Sequence, residues 1–192
     1  MKKIAVFLAD GFEEIEALTP VDILRRAGFT CHTVGVTGPV VTGSHGIAVK
    51  ADLALADDLE GYDMVVCPGG LPGAVNLREC PEVIRLVQLF ARDPEKKVAA
   101  ICAAPQVLAK AGITAGRHVT SYPGADLEAL FADAHYHTDR AVIVDGDLIT
   151  SRGAGTAMEF AFTLVDELGG NSKPLRDGMM YSQYLTAGPL HE

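Results

Sequence analysis

Basic residues never run longer than two in this sequence; Lys2-Lys3, Arg25-Arg26 and Lys96-Lys97 are the longest such runs. Lys and Arg number 16 against 25 Asp and Glu, a formal net charge of -9. A phosphate-neutralising patch is thereby disfavoured, and no nucleic-acid partner is expected. Long apolar stretches are also missing. The run after Lys2-Lys3 is only Ile4 to Ala9, and Asp10 ends it without a small-residue cleavage pattern. That is too short for a secretory signal core, and no later segment approaches the length of a membrane span. Cytoplasmic residence without a membrane partner is the expectation. The four cysteines, at 31, 67, 80 and 102, form no C-x-x-C pair, so a zinc knuckle and a thioredoxin-type motif are both absent. In a cytosolic chain they should be free thiols. Neither G-x-G-x-x-G nor G-x-x-x-x-G-K occurs, and no repeat, low-complexity tract or linker divides the chain.

The chain does have enough length and apolar content for one sizeable core. Its 192 residues are 48% hydrophobic and 21% charged, the balance of a globular domain spanning residues 1–192. IAVFLA (4–9), DMVVC (63–67) and KVAAIC (97–102) are nearly continuous apolar runs, as in strands buried on both faces of a parallel sheet. FTCHTVGV (29–36) reads as another strand, and AVIVDGDLIT (141–150) as two strands joined at Asp145-Gly146. Between them, EVIRLVQLFAR (82–92) follows Pro81 at a first helical position. TAMEFAFTLVDEL (156–168) opens with Thr156 and has Glu159 three residues later, a capping-box pattern, with Gly169 as its stop. Strands alternating with helices predict an α/β sandwich with a mostly parallel sheet. Pro20 interrupts the helical spacing of Ile15, Leu18, Val21 and Leu24, so a kink or a late helix start is expected there.

Three features can carry chemistry. Cys102 stands where VAAIC gives way to the helix-like AAPQVLAKAG. A cysteine there can be mere core filling. At the first turn of a helix, however, it would face unpaired N–H groups and the positive dipole end, which favour a thiolate. A fall in its pKa from about 8.5 to about 5.5 would be worth about 4 kcal/mol, more than the dipole alone supplies, so further donors are needed. The second feature is CPGGLPG (67–73), directly after a strand. It is either a plain tight turn or a source of main-chain donors, the Gly70 N–H with that of Ala103 holding an oxyanion beside Cys102. Third is EEIE, with Glu13, Glu14 and Glu16 after the first strand. These acids suit a solvated first helical turn. A carboxyl near a thiolate would instead be pushed toward its protonated form and could exchange protons with a substrate. The histidines at 32, 45, 118, 135, 137 and 191 are scattered. His135 and His137 would share one face if extended, which permits a metal site, but with no third ligand apparent a surface strand is expected and no metal.

The blocks ADGFEEIEALTPVDILRRAG, YDMVVCPGGLPGAVNL, VAAICAAP and LITSRGAGTAMEFA, in this order, resemble the DJ-1 branch of the ThiJ/PfpI superfamily across nearly the whole chain. The resemblance implies a flavodoxin-like sandwich and a homodimer. It makes Cys102 the nucleophile and Glu16 its carboxyl partner, and it supports Gly70 and Ala103 as main-chain donors. It implies a cofactor-free enzyme acting on small reactive carbonyls. Such an enzyme would be a glutathione-independent glyoxalase that turns methylglyoxal into lactate, or a deglycase of early glycation adducts, linked to oxidative-stress protection. The alternative is a redox sensor or chaperone whose cysteine becomes a sulfinate. A role in thiamin metabolism, suggested by the superfamily name, finds no residue here that argues for it.

The chain departs from its relatives at several positions. Tyr122 stands where relatives carry a histidine near the cysteine, which removes a His–Cys dyad and leaves Glu16 as the acid/base group. His45 replaces a pocket arginine, and Ala154 replaces a proline. Arg26, His45 and Tyr122 are expected to contact substrate or its anionic group. Ala103 occupies the place where the proteolytic branch has a histidine, so a peptidase triad is not expected.

Overall fold

The first strand shows why its sequence lacks alternation. Ala5 and Phe7 point into one apolar layer while Ile4, Val6 and Leu8 point into another, all fully buried. A strand covered on both faces has no polar side to display.

The computed structural model describes residues 1–184, so His191 lies outside the described residues. In chain order its strands are β1 (Lys3–Leu8), β2 (Thr30–Gly35), β3 (Val40–Thr42), β4 (Ala48–Lys50), β5 (Leu53–Ala54), β6 (Met64–Cys67), β7 (Lys97–Ile101), β8 (His118–Val119), β9 (His135–Tyr136), β10 (Val142–Asp145) and β11 (Leu148–Ser151). The helices are α1 (Glu14–Arg26), α2 (Gly73–Glu79), α3 (Pro81–Arg92), α4 (Pro105–Lys110), α5 (Ala125–Glu128), α6 (Ala157–Glu167), α7 (Lys173–Gly178) and α8 (Tyr181–Tyr184). Seven strands form one sheet in the order β10-β11-β7-β6-β1-β2-β5, parallel throughout except for the β10–β11 hairpin at one edge. Asp145 and Leu148 close that hairpin, with Gly146 at φ 60° in its turn. The β3–β4 and β8–β9 pairs are separate two-stranded sheets.

Helices cover both faces, giving a flavodoxin-like sandwich. On one side Leu77 of α2, Val83, Val87 and Phe90 of α3, and Val107 of α4 pack against the sheet. On the other, Ile23 and Leu24 of α1 meet Phe160 and Leu164 of α6. Each fully buried side chain of this size contributes roughly 1.5–3 kcal/mol of transfer free energy. No helix among the described residues is long and apolar enough to cross a membrane.

Two local expectations need correction. Of the two alternatives at Pro20, the late start does not occur: the helix begins at Glu14 and runs through Pro20. The Glu13 carboxylate caps it by accepting the Glu16 N–H at 2.7 Å. Pro20 itself is buried, and that packing offsets the helical hydrogen bond its ring nitrogen cannot donate. The Thr156/Glu159 capping box does not form either. The Thr156 hydroxyl is engaged by Gly153 and by Ser151 Oγ at 2.7 Å. Glu159 is drawn off by Arg176 in a two-pronged ion pair at 2.6 and 2.8 Å. The helix stop at Gly169 is as expected, at φ 82°.

Candidate active site

The sheet order reverses between β1 and β6, so the loops leaving β1, β6 and β7 converge at their carboxyl ends, where such sheets bind ligands. The loops after β1 and β6 are tied together by the Glu13 N–H, which donates to the Gly69 carbonyl at 3.0 Å, and the Gly73 N–H, which donates to the Gly11 carbonyl at 3.2 Å. The chain leaving β7 turns at once through Cys102.

Cys102 adopts φ 64°, a left-handed conformation uncommon for a residue with a side chain. Its N–H donates to the Ser151 carbonyl at 3.0 Å, and its carbonyl accepts the Tyr122 N–H at 2.8 Å. These bonds clamp the peptide on both sides and leave the half-buried sulfur facing the β1 and β6 loops. The backbone N–H groups of Gly70 and Ala103 and the Glu16 carboxyl stand close enough to that sulfur to act on its ionisation. Glu16 is 1% exposed and also accepts the Gly69 N–H at 3.0 Å. The four residues expected at the reaction centre (Cys102, Glu16, Gly70 and Ala103) are thus brought together.

Two glycines make this approach feasible. Gly70 lies at φ 87°, where a side chain would be strained. At Gly69 a Cβ would stand 2.6 Å from the Cys102 Cβ and would also collide with the Glu16 carboxylate. Sequence reading singled out Gly70 and overlooked Gly69; the doubled glycine of CPGG was the signal available.

Electrostatics correct one expectation. Burial, reinforced by the Glu16 charge, pushes the Cys102 thiol up to about 12, against the lowering effect of the Ala103 and Gly70 N–H groups. Burial also lifts Glu16 to about 7, with the Glu13 charge adding to it. A thiolate made by a helix N-terminus is not what the fold builds, because α4 starts only at Pro105 and is six residues long. The carboxyl and the thiol form a buried pair in which Glu16 is the group that titrates near neutrality. Cys31 and Cys67 are buried with thiols pushed up to about 12, and Cys80 is half-buried; all four cysteines are free.

The expected substrate contacts fare differently. Tyr122 is in place beside Cys102, half exposed, and it lines a groove of about 500 Å³ with Leu71, Val75, Ala103, Gln106 and Leu130. Arg26 is not brought to the site. It lies ten residues beyond Glu16 on α1, roughly 15 Å along the axis, and pairs with Asp22 at 2.7 Å. His45 is spent on a clasp that sequence reading did not foresee. Its Nδ1 meets the Glu14 carboxylate at 2.8 Å, and its N–H donates to the same carboxylate at 2.8 Å. Burial alone would raise Glu14, but the His45 ring and the backbone N–H groups of His45 and Ile47 hold it down at about 2.

A cysteine on a left-handed strand-to-helix elbow, backed by a buried carboxyl and two main-chain N–H groups in a flavodoxin-like sandwich, defines a class of protein with a cysteine–carboxyl pair at the sheet's switch point. The chain belongs to the DJ-1/PfpI family, whose model matches residues 2–167. It is 42% identical over 175 residues to the Parkinson disease protein 7 homolog of Danio rerio, covering 88% of this chain and 90% of that one. A Pyrococcus abyssi protein named a deglycase is 35% identical over 156 residues, covering 80% and 91% of the two chains. Among solved structures, Drosophila melanogaster DJ-1beta superposes with a TM-score of 0.86 at 38% identity, covering 93% and 97%. Oxidized Toxoplasma gondii DJ-1 gives 0.85 at 30% identity, covering 94% and 99%.

Proposed function

We propose that this protein is a cysteine-dependent, cofactor-free enzyme acting on 2-oxoaldehydes, converting methylglyoxal to lactate, or on early glycation adducts. The observation that carries the reading is the buried Cys102–Glu16 pair flanked by the Gly70 and Ala103 N–H groups. As the sulfur attacks the aldehyde carbon, the Glu16 carboxylate takes the thiol proton. The two N–H groups stabilise the oxyanion, a contribution of about 3–4 kcal/mol per well-placed donor. Glu16 returns that proton to the oxyanion and, ionised again, moves the proton of the former aldehyde carbon to the neighbouring carbonyl carbon, while the hydroxyl proton passes to the neighbouring oxygen, leaving a thioester on Cys102. Water hydrolyses it to lactate and restores the thiol. The sum is methylglyoxal plus water to lactate, with no electron donor or acceptor needed. A relative named a deglycase supports carbonyl-adduct chemistry in the family.

The groove beside Tyr122 would take the substrate. We place the activity in the cytoplasm, where free thiols persist. Half-exposed Ile15, next to Glu14 in the chain, and Ile47, two residues beyond His45, support pairing of two copies over this region. A second reading has its own support. A protonated Glu16 beside two N–H donors would also hold a Cys102 sulfinate, and a relative's structure is of an oxidized form. That protein would be an oxidative-stress sensor.

The deciding experiment is lactate formation from methylglyoxal without glutathione, native protein against Cys102→Ser. Turnover lost in the variant establishes the enzyme. No turnover in either, with both folded, overturns it and leaves the sensor.

A further inference from the structure

The β8–β9 ribbon carries three imidazoles that the reaction does not use. Its parallel register sets His118 opposite His135. His137, two residues beyond His135, returns to the same face and donates its N–H to the Val119 carbonyl at 2.8 Å. The His118 ring lies between the other two, with centroids 4.7 Å from His135 and 5.0 Å from His137. The ribbon thus brings His118, distant in the chain and adjacent in the sheet, beside His137.

His118 Nδ1 and His137 Nε2 face each other at 2.7 Å. Two nitrogens bound to one tetrahedral ion at about 2.0–2.1 Å are about 3.3 Å apart, so small ring rotations convert this hydrogen bond into a chelate. On the far side of the same ring, His137 Nδ1 looks toward Asp139 Oδ1 at 3.9 Å. A carboxylate behind a ligating imidazole fixes its tautomer and strengthens it as a donor. The backbone beneath is braced: the His118 N–H donates to Asp145 Oδ2 at 2.8 Å, and Arg117 holds Asp145 and Asp147 at 3.1 and 2.8 Å. A groove of about 460 Å³ between this ribbon and β10, lined by His118, His137, Asp139 and Arg140, admits a hydrated ion. Arg140 lies 3.4 Å from Asp139 and draws on the same carboxylate, which weakens the site.

We infer that His118 and His137 together bind a borderline divalent transition-metal ion such as zinc, with water completing the shell. The ion clips β8 to β9 in the ribbon that leads to Tyr122. Imidazole is the side chain best suited to such ions, and it binds them only when neutral.

The test uses untagged full-length protein titrated with Co²⁺ followed by absorbance and with Zn²⁺ followed by calorimetry. One ion per chain is expected, with visible d–d bands and no near-ultraviolet thiolate charge-transfer band. Both His118→Gln and His137→Gln should weaken binding about tenfold or more, whereas Cys102→Ser leaves it unchanged. Binding should weaken as the pH is lowered, because an imidazole ligates a metal only when neutral. Absence of binding up to about 100 µM ion overturns the proposal. So does affinity unchanged in both glutamine variants, or a charge-transfer band that vanishes in Cys102→Ser. Both glutamine variants sit on an exposed ribbon, and circular dichroism verifies that each is folded.

Discussion

The Gly69 N–H donates to Glu16 Oε2 at 3.0 Å, and the same carboxyl lies beside the Cys102 thiol, close enough for each to shift the other's ionisation. A peptide group from the β6 loop thus holds the carboxyl in register with a thiol from the end of β7. The geometry of the pair depends on main chain more than on neighbouring side chains.

Replacing Glu16 with Gln keeps the shape and the Gly69 bond but removes the proton carrier. The expected outcome is a fall in kcat of about 10²–10⁴-fold with methylglyoxal while the circular dichroism spectrum is unchanged. A loss under threefold would remove Glu16 from the reaction.

The pH dependence has two parts with opposite signs. Glu16 must be ionised to accept the thiol proton, so kcat/KM should rise with pH and level off above about 7. Stability moves the other way. Its folded pKa, about 7, is above the ordinary 4.5, so between those values the folded state binds the proton more tightly. That contribution is whole below 4.5 and is lost as pH rises through 7, a change on the order of 3 kcal/mol. Urea unfolding at pH 5 and pH 8 should show Glu16→Gln gaining on the native protein at the higher pH.

At Gly69 a single methyl group has nowhere to go. Gly69→Ala should lower stability by roughly 1–3 kcal/mol and displace either the thiol or the carboxylate. Thermal melting and turnover should fall together, whereas Gly155→Ala, at an open position, should alter neither.

The Glu14–His45 clasp stabilises the fold at neutral pH through a carboxylate held at about 2, well below its ordinary 4.5. Its contribution is present above 4.5 and is lost as pH falls toward 2. Glu14→Gln should cost roughly 1–3 kcal/mol in urea unfolding at pH 7, and the difference should vanish near pH 2.

Most of the sheet was legible because doubly buried strands leave unbroken apolar runs, and the β10–β11 hairpin because Asp145-Gly146 announces its turn. The cluster of the candidate site was legible as residues, Cys102, Glu16, Gly70 and Ala103, but not as energetics. Burial depth is a property of three converging loops, so the sequence suggested a lowered thiol where the fold raises it. Arg26 was misplaced for a similar reason: its helix was recognised, but which end faces the site depends on where the chain re-enters the sheet. His45 and His118 meet partners 31 and 19 residues away, Glu14 and His137, and only the pairing of small ribbons decides such contacts.

The left-handed backbone at Cys102 carries a consequence for engineering. A side chain at φ 64° costs on the order of 1–2 kcal/mol that glycine would not. Cys102→Gly should therefore melt at a higher temperature than the native protein while being inert toward aldehydes, a difference that scanning calorimetry can read. Any programme that ranks substitutions by thermal tolerance alone will favour deleting Cys102, so selection for ruggedness in this protein has to be coupled to a screen for the proposed activity.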